Sequence, residues 1–526
     1  MLVKKAYTSA SDEYAPSKTS DISVRFFSSG IHSQVSCQYS EFKSYDVPFA
    51  GNDDSITMTQ QTTSCHILIE SLSLSQWGEL STLFSQIEHQ PYAMLFDSAG
   101  STAGRYHMMM WAPRYVIESK SGQTRVTDTR DNTSKALAQA PLKAVEHYVD
   151  LTFAGHRYTS SHPELLAELP FIVGAAGLCG YDLGRYYESL PDTNSDAYMC
   201  PDMAIGIFTQ SVIYDTRTNE LFHCRLASHA PLCEQWPQLA RSVPAAPFTL
   251  TSDWASNLSQ PAYNQALSRI HQYIVAGDCY QINMAQRFSA GYKGSEWQAY
   301  QALRNENQTP FSAFIRLPHS CVLSISPERF LSVRDGKVQT KPIKGTRPRH
   351  QDEAADQASA KALLAAEKDR AENLMIVDLL RNDLSKHCKP HSVVVPFLFA
   401  LESYAAVHHL VSTVEGELDE HASPLDLLAG AFPGGSITGT PKIRAMEIIE
   451  ELEPHRRNVY CGSIMYYGIK KDMDSSITIR TLLAENHTLH CWAGGGIVLD
   501  SQAADEYQET LDKVSRILPS LDRFRE

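Results

Sequence analysis

Asp335 and Gly336 sit at the centre of the segment SPERFLSVRDGKVQTKPIKGT, with apolar and polar residues alternating on both sides. An Asp-Gly pair between alternating runs folds the chain back as a β-hairpin, because these two residues accept the backbone angles of a two-residue turn. The turn pairs Arg334 with Lys337. Carried on in register, the ladder sets Glu328 opposite Ile343 and beside Lys344, within about 4.5–8 Å. Strict alternation aims Glu328 and Lys344 at opposite faces, so only a bulge or the end of pairing near Gly345 turns them together. An ordinary strand-edge ion pair is the plainer reading of Glu328.

Lys344 lies in PIKGTRPR, residues 342–349. Gly345 lets the backbone approach a ligand, Thr346 offers a hydroxyl and Arg347 a fork of donors matched to carboxylates, so the stretch reads as a small-molecule site. A lysine attacks only as the neutral amine, a form that repulsion from Lys341, Arg347 and Arg349 favours. Lys344 is the candidate nucleophile. A solvated basic turn is the competing reading.

Two helices carry carboxylates. EKDRAENLMIVDLLRND, from Glu367 to Asp383, places Asp369 and Glu372 on one face, and its apolar residues run almost all round, which predicts burial. A buried carboxylate there needs a partner, either a metal or a cation such as Arg370 or Arg381. In AADEYQETLDKVSRIL, Glu506, Glu509 and Lys513 fall within roughly 60° of one another beside an apolar stripe. A few hard oxygen ligands from separate helices suit Mg2+ that keeps waters and bridges to an anionic substrate. A solvated acidic face is the alternative.

Between the helices, Gly434–Gly439 has the spacing of a phosphate loop, but Thr440, Pro441 and Lys442 stand where that motif requires Gly-Lys-Ser/Thr, which excludes nucleotide binding. The helix start with Ser436 and Thr438 can still take a carboxylate. Gly494, Gly495 and Gly496 end a strand, either as bare amides for an anion or as a structural bulge. Arg480, alone in an apolar strand, is a buried ion-pair member or a carboxylate clamp.

Composition narrows the partners. A net charge of −14 and a pI near 5.8 argue against nucleic acid and anionic membrane surfaces. Eleven cysteines without a CxxC pair fit neither a disulfide framework nor a zinc site, and point to a reducing, cytoplasmic setting. The longest apolar run, Val393 to Leu401, is short and contains Pro396, so no membrane span is expected. His387, His391, His408 and His409 match no metal-ligand spacing.

With 526 residues, 43% of them hydrophobic, the chain can bury a large core. Residues 1–57 are Ser-, Thr- and Asp-rich and are expected to be a poorly ordered, dispensable extension. Residues 58–225 read as an α/β unit opened by the strand CHILIESLSL, with a helix from Ser75 to His89 and a hairpin in IGIFTQSVIYDTRTNELFHC. Residues 226–258 are a Pro- and Ala-rich connection. Residues 259–521 form a second α/β unit, opened by a helix that Ser259 caps and Gly277 stops, and carry every strong motif.

Together, SPERF, PIKGTRPR, DRAENLMIVDLLRND, AFPGGSITGTPK, the GGG turn and EYQETLDK resemble the chorismate-utilising enzymes over roughly Ser259 to Leu521. PYAMLFDSAG with Gly104, Arg105 and Tyr106 is more weakly similar to the amino-terminal part of the same large subunits. The resemblance implies an α/β fold of the α+β type, a two-sheet β-sandwich wrapped by helices in which both sequence units contribute to each sheet. Members that make anthranilate typically carry alanine where this chain has Lys344, whereas members that aminate C4 of chorismate, toward 4-aminobenzoate and folate, carry lysine. Gln281 stands where isochorismate and salicylate synthases place a water-activating lysine, which disfavours water as the nucleophile.

The resemblance further implies that Mg2+ is held through Glu372 and Glu509, with Asp369 and Glu506 in support, and that Lys344 adds to C2 while Glu328 acts as general acid. By position, Gly345, Thr346, His409, Tyr460, Arg480, Gly494, Gly495, Gly496 and Lys513 line the chorismate site. Some members hold tryptophan at positions matching Ser98, Arg105, Tyr106, Pro310, Phe311 and Ser312. The inhibited members favour LLES where this chain has LFDS. No cysteine sits in a nucleophile elbow with a downstream HxE, so ammonia is expected from a separate glutaminase subunit. The alternatives are anthranilate synthase component I and a non-catalytic tryptophan-binding paralogue.

Overall fold

Two antiparallel sheets dominate the computed structural model, which describes residues 66–526 apart from 102–103, 154–158, 195, 242–244 and 405–406. The expectations for residues 1–57 lie outside the described residues.

Both sheets run across the two sequence units. In the first, Phe311–Arg316 from the second unit pairs with Met94–Asp97 from the first, joining Gln281–Lys293, Thr488–Ile497, Thr481–Glu485 and Ser320–Ser326 to Tyr106–Met110, Gln210–Asp215, Glu220–Leu226 and His66–Leu72. In the second, Ser463–Gly468 pairs with Gly174–Cys179 and makes the same join. The interwoven sandwich that the family resemblance implies is present.

Side-chain alternation builds the layers. Met94, Met108, Met110 and Ile213 join a core shared with Ile117, Ile205 and Phe330 of the second sheet, while Leu95, Met109 and Val212 pack on the other face with Phe84 and Trp297 from covering helices. A third cluster, with Tyr263, Leu267, Ile270, Met284 and Ile448, seats the helices Gln260–Ala276 and Lys442–Leu452 beside the strand Gln281–Lys293. Ser259 caps the first of these through the Ala262 amide, and Gly277 closes it at φ 84°, as the sequence predicts.

Several local expectations change. The helix predicted from Ser75 to His89 is two, Leu74–Trp77 and Leu80–Ile87, because Gly78 turns at φ 75° between them. The predicted hairpin near Asp215 is Gln210–Asp215 with Glu220–Leu226; the preceding Met203–Phe208 belongs to the other sheet, so the chain crosses between sheets at Thr209. Residues 226–258 are not bare connection but include the helix Leu232–Leu239 and two short strands. The helix Glu367–Ser385 is buried on one side only, with Leu374 exposed, since just one of its faces meets the strand Val407–Glu417. Among the described residues no helix is long and apolar enough to cross a membrane.

Candidate active site

The Asp335-Gly336 turn forms as expected and pairs Arg334 with Lys337, but its ladder ends sooner. Beyond Thr340 the chain moves along to pair Ile343 with Val411 and Lys344 with Leu410, so Ile343 does not face Glu328 across a ladder. The register then shifts between Lys344 and Thr346, at a bulge centred on Gly345 with φ 74°. A Cβ at Gly345 would meet the Asp369 carboxyl carbon and the Leu363 methyl at 2.8 Å, so glycine is required here for both angle and space.

The bulge brings lysine and carboxylate together. Lys344 Nζ donates to the Ser436 carbonyl at 3.3 Å, and Ser436 Oγ donates to Glu328 Oε1 at 3.4 Å. Ser436 belongs to the tight turn Gly435–Ile437 that precedes the helix Lys442–Leu452. The loop expected to take a carboxylate thus takes one of the protein's own. Burial pushes the Glu328 carboxyl up to about 7, against the pull of Lys344, Ser436 and the Ile343 backbone. A carboxylic acid with a value near neutrality suits proton transfer in either direction.

Lys341, Arg347 and Arg349, the cations that the sequence sets near Lys344, each have a carboxylate partner in the fold. Lys341 pairs with Glu402, Arg347 with Asp369 and Arg349 with Asp356, so each charge is met by its own carboxylate. Asp369 is thereby drawn toward Arg347 and Gly345.

Glu372, Glu506 and Glu509 gather around cations. Lys368 Nζ lies 3.5 Å from Glu506 Oε1 and 4.0 Å from Glu372 Oε1, and Lys513 donates to Glu509 and to the Gly494 carbonyl, both at 2.7 Å. Burial raises Glu372 against Lys344 and Lys368, whereas at Glu509 the charges of Lys513, Lys368 and Lys344 outweigh burial and hold the carboxyl low. Among the described residues, as they stand, no three His, Cys, Asp or Glu side chains enclose a metal site. Glu506 Oε2, however, is buried without a hydrogen-bond partner, an acceptor available to a cation.

Arg480 falls in neither strand. It sits at φ 51° where the chain passes from Met473–Ile477 in one sheet to Thr481–Glu485 in the other, and among the described residues it makes no ion pair. A half-buried guanidinium without a partner favours the carboxylate-clamp reading. Thr346 Oγ1 and His409 Nδ1 lie 2.9 Å apart, and burial with the nearby Arg480 charge presses His409 down to about 4, so the ring is neutral. Tyr460 is buried, with its ring parallel to that of Trp492. Gly494 and Gly496 lie within the strand Thr488–Ile497, opposite Ala285 and Asn283, and Gly496 leaves room for the Gln281 amide. Gly495 points to the acidic helix instead, where an added Cβ would stand 3.1 Å from Glu506 Oε2 and 3.3 Å from Glu509 Oε1.

The chorismate binding enzyme family matches residues 91–519. Aminodeoxychorismate synthase component 1 of Klebsiella aerogenes is 47% identical over 84% of this chain and 96% of its own length. The chain belongs to the chorismate binding enzymes. The component 1 of Escherichia coli strain K12 is 46% identical over 84% of this chain and 95% of its own. Anthranilate synthase component I from Streptococcus pneumoniae TIGR4 superposes with a TM-score of 0.69 at 30% identity, over 79% of this chain and 92% of that one.

Of the six positions matched to tryptophan in this family, Arg105, Tyr106, Pro310, Phe311 and Ser312 line one cavity of about 500 Å3 between the sheets. Ser98 does not line it; it is buried, with its hydroxyl 2.7 Å from His107 Nε2. Arg105 is engaged by Asp215 and Glu168, each at 2.6 Å. In this chorismate binding enzyme Lys368 is the site residue that the sequence does not single out. The spacing of Lys368 four residues before Glu372 signals a helical ion pair. Ser436 was legible as a polar loop residue, but its contact with Glu328, 108 positions away, was not.

Proposed function

We propose that the chain is component I of an aminodeoxychorismate synthase, which replaces the C4 hydroxyl of chorismate with an amino group on the route to 4-aminobenzoate and folate. The observation that carries this is Lys344, set by the Gly345 bulge beside a buried Glu328 whose carboxyl is poised near neutrality. The names of the relatives at 46–47% identity agree with it.

The reaction begins with a proton passing from the Lys344 ammonium to Glu328, which makes one group a nucleophile and the other an acid. The amine adds at C2, the two conjugated ring double bonds shift, and the C4 hydroxyl leaves as water with the proton from Glu328. Ammonia then attacks C4, both double bonds shift back, and the Lys344 nitrogen leaves C2 with its bonding pair. The sum is chorismate plus ammonia giving 4-amino-4-deoxychorismate plus water. Arg480, which makes no ion pair among the described residues, holds a substrate carboxylate, and neutral His409 and Thr346 offer hydrogen bonds beside it.

Glu372, Glu506 and Glu509 are the residues that would hold Mg2+, and the unpartnered Glu506 oxygen fits a hard cation. When bound, the ion would draw charge toward the ring carboxylate and ease departure at C4. Ammonia would come from a glutaminase partner, component II. The cavity lined by Arg105, Tyr106 and Phe311 is proposed to take tryptophan, read by calorimetric titration of tryptophan into Phe311→Asp against the parent.

Purified protein with chorismate, Mg2+ and ammonium at alkaline pH tests the reading. Formation of 4-amino-4-deoxychorismate without pyruvate release supports it. Anthranilate with pyruvate would replace it by the anthranilate synthase reading.

A further inference from the structure

Lys368 extends from the helix Glu367–Ser385 toward the second acidic helix, Ala503–Val514. Its ammonium stands 3.5 Å from Glu506 Oε1 and 4.0 Å from Glu372 Oε1. Glu506 is almost wholly buried; its Oε1 also accepts the Ser501 hydroxyl at 2.6 Å, and its Oε2 has no hydrogen-bond partner among the described residues. Gly495 keeps the wall open on the side where Glu506 Oε2 and Glu509 Oε1 lie, and Lys513 engages Glu509 from beyond.

Carboxylates from two helices thus border one small space, and left without a cation they would repel and drive the helices apart. Lys368 supplies that cation. Its side chain is 55% exposed, so the four-carbon stem has a path to solvent. A divalent ion drawn to Glu372 and Glu506 would stand close to the ammonium, which lies on the Oε1 side of both carboxylates, and two cations so near repel each other.

We propose that Lys368 is a placeholder cation: in the metal-free protein it ties Glu372 to Glu506, and it moves out to solvent when Mg2+ takes their oxygens. The proposal rests on the magnesium reading above and adds a residue which that reading does not use. Lys368 keeps the empty site assembled and, by competing, weakens Mg2+ binding in the free protein.

The test is calorimetric titration of Mg2+ into the full-length protein and its Lys368→Met, Lys368→Gln and Lys368→Arg variants, with thermal unfolding in EDTA alongside. Met and Gln lower Tm in EDTA and tighten Mg2+ binding about three- to tenfold, the range that one or two partly exposed ion pairs are worth. Arg, which keeps the charge, holds Tm near that of the parent. A lysine with a merely structural role would lower Tm without tightening Mg2+. Mg2+ binding by the parent with unchanged or weaker binding by Met and Gln overturns the competition alone. No Mg2+ binding by any of the four proteins overturns the magnesium reading, and the competition with it.

Discussion

Glu328 and Lys344 are tied to the two ends of one residue: Glu328 accepts the Ser436 hydroxyl at 3.4 Å, and Lys344 donates to the Ser436 carbonyl at 3.3 Å. Neither contact runs through a strand ladder. The pair depends on the Gly345 bulge, which rotates Lys344, and on the turn Gly435–Ile437, which presents Ser436 to both.

Replacing Glu328 separates catalysis from stability. Its carboxyl, at about 7 in the fold against an ordinary 4.5, is costly to ionise where it stands. That cost is absent below about 4.5 and complete above about 7, so stability falls as pH rises between the two. Glu328→Gln should raise stability at pH 8 by up to about 3 kcal/mol. It should have little effect near pH 4.5, while ammonia-dependent turnover drops about 10²–10⁴-fold. Thermal unfolding at both pH values and initial rates check the two halves.

Gly345→Ala places a Cβ against Asp369 and Leu363 at a φ of 74°. The expected cost is about 1–3 kcal/mol of stability, and turnover should fall further than stability accounts for, because Lys344 loses its direction. Chemical denaturation beside steady-state rates reads both.

Arg480→Met removes a guanidinium that makes no ion pair among the described residues. A charge-assisted pair with a substrate carboxylate should be lost, raising KM for chorismate about 10–100-fold with a smaller change in kcat. An unchanged KM would place the carboxylate elsewhere.

His409 is held neutral, with its value pressed down to about 4 from 6.5. Its contribution to stability is therefore whole above about 6.5 and is lost as pH falls toward 4. His409→Gln should flatten the decline of Tm across that interval, measured by thermal unfolding at half-unit steps of pH.

Much of this was legible in the chain. The Asp335-Gly336 turn, the Ser259 cap and the Gly277 stop are local, set by residues adjacent in sequence, and all form as predicted. What local pattern could not supply is how strands change partners. The Glu328–Lys344 register is not continuous, because the hairpin ladder stops at Ser332 with Gln339 while the second arm stays paired with the strand Val407–Glu417, and Arg480 lies at a crossing between sheets instead of inside a strand. The charges of Lys341, Arg347 and Arg349 were visible, but the carboxylates that meet them come from Glu402, Asp369 and Asp356, chosen by the tertiary fold. Lys368 was overlooked for a different reason. Its i, i+4 relation to Glu372 is local, yet its reach to Glu506 spans 138 positions and only the folded chain shows it.

The central claim is that Lys344 bonds to the substrate. Protein mixed with chorismate and Mg2+ without ammonia, quenched in acid and digested, should yield a peptide containing Lys344 heavier by chorismate less one water. The Lys344→Ala protein should show no such adduct and should form little or no 4-amino-4-deoxychorismate when ammonium is added. An unmodified peptide, together with turnover in Lys344→Ala equal to that of the parent, would contradict the account.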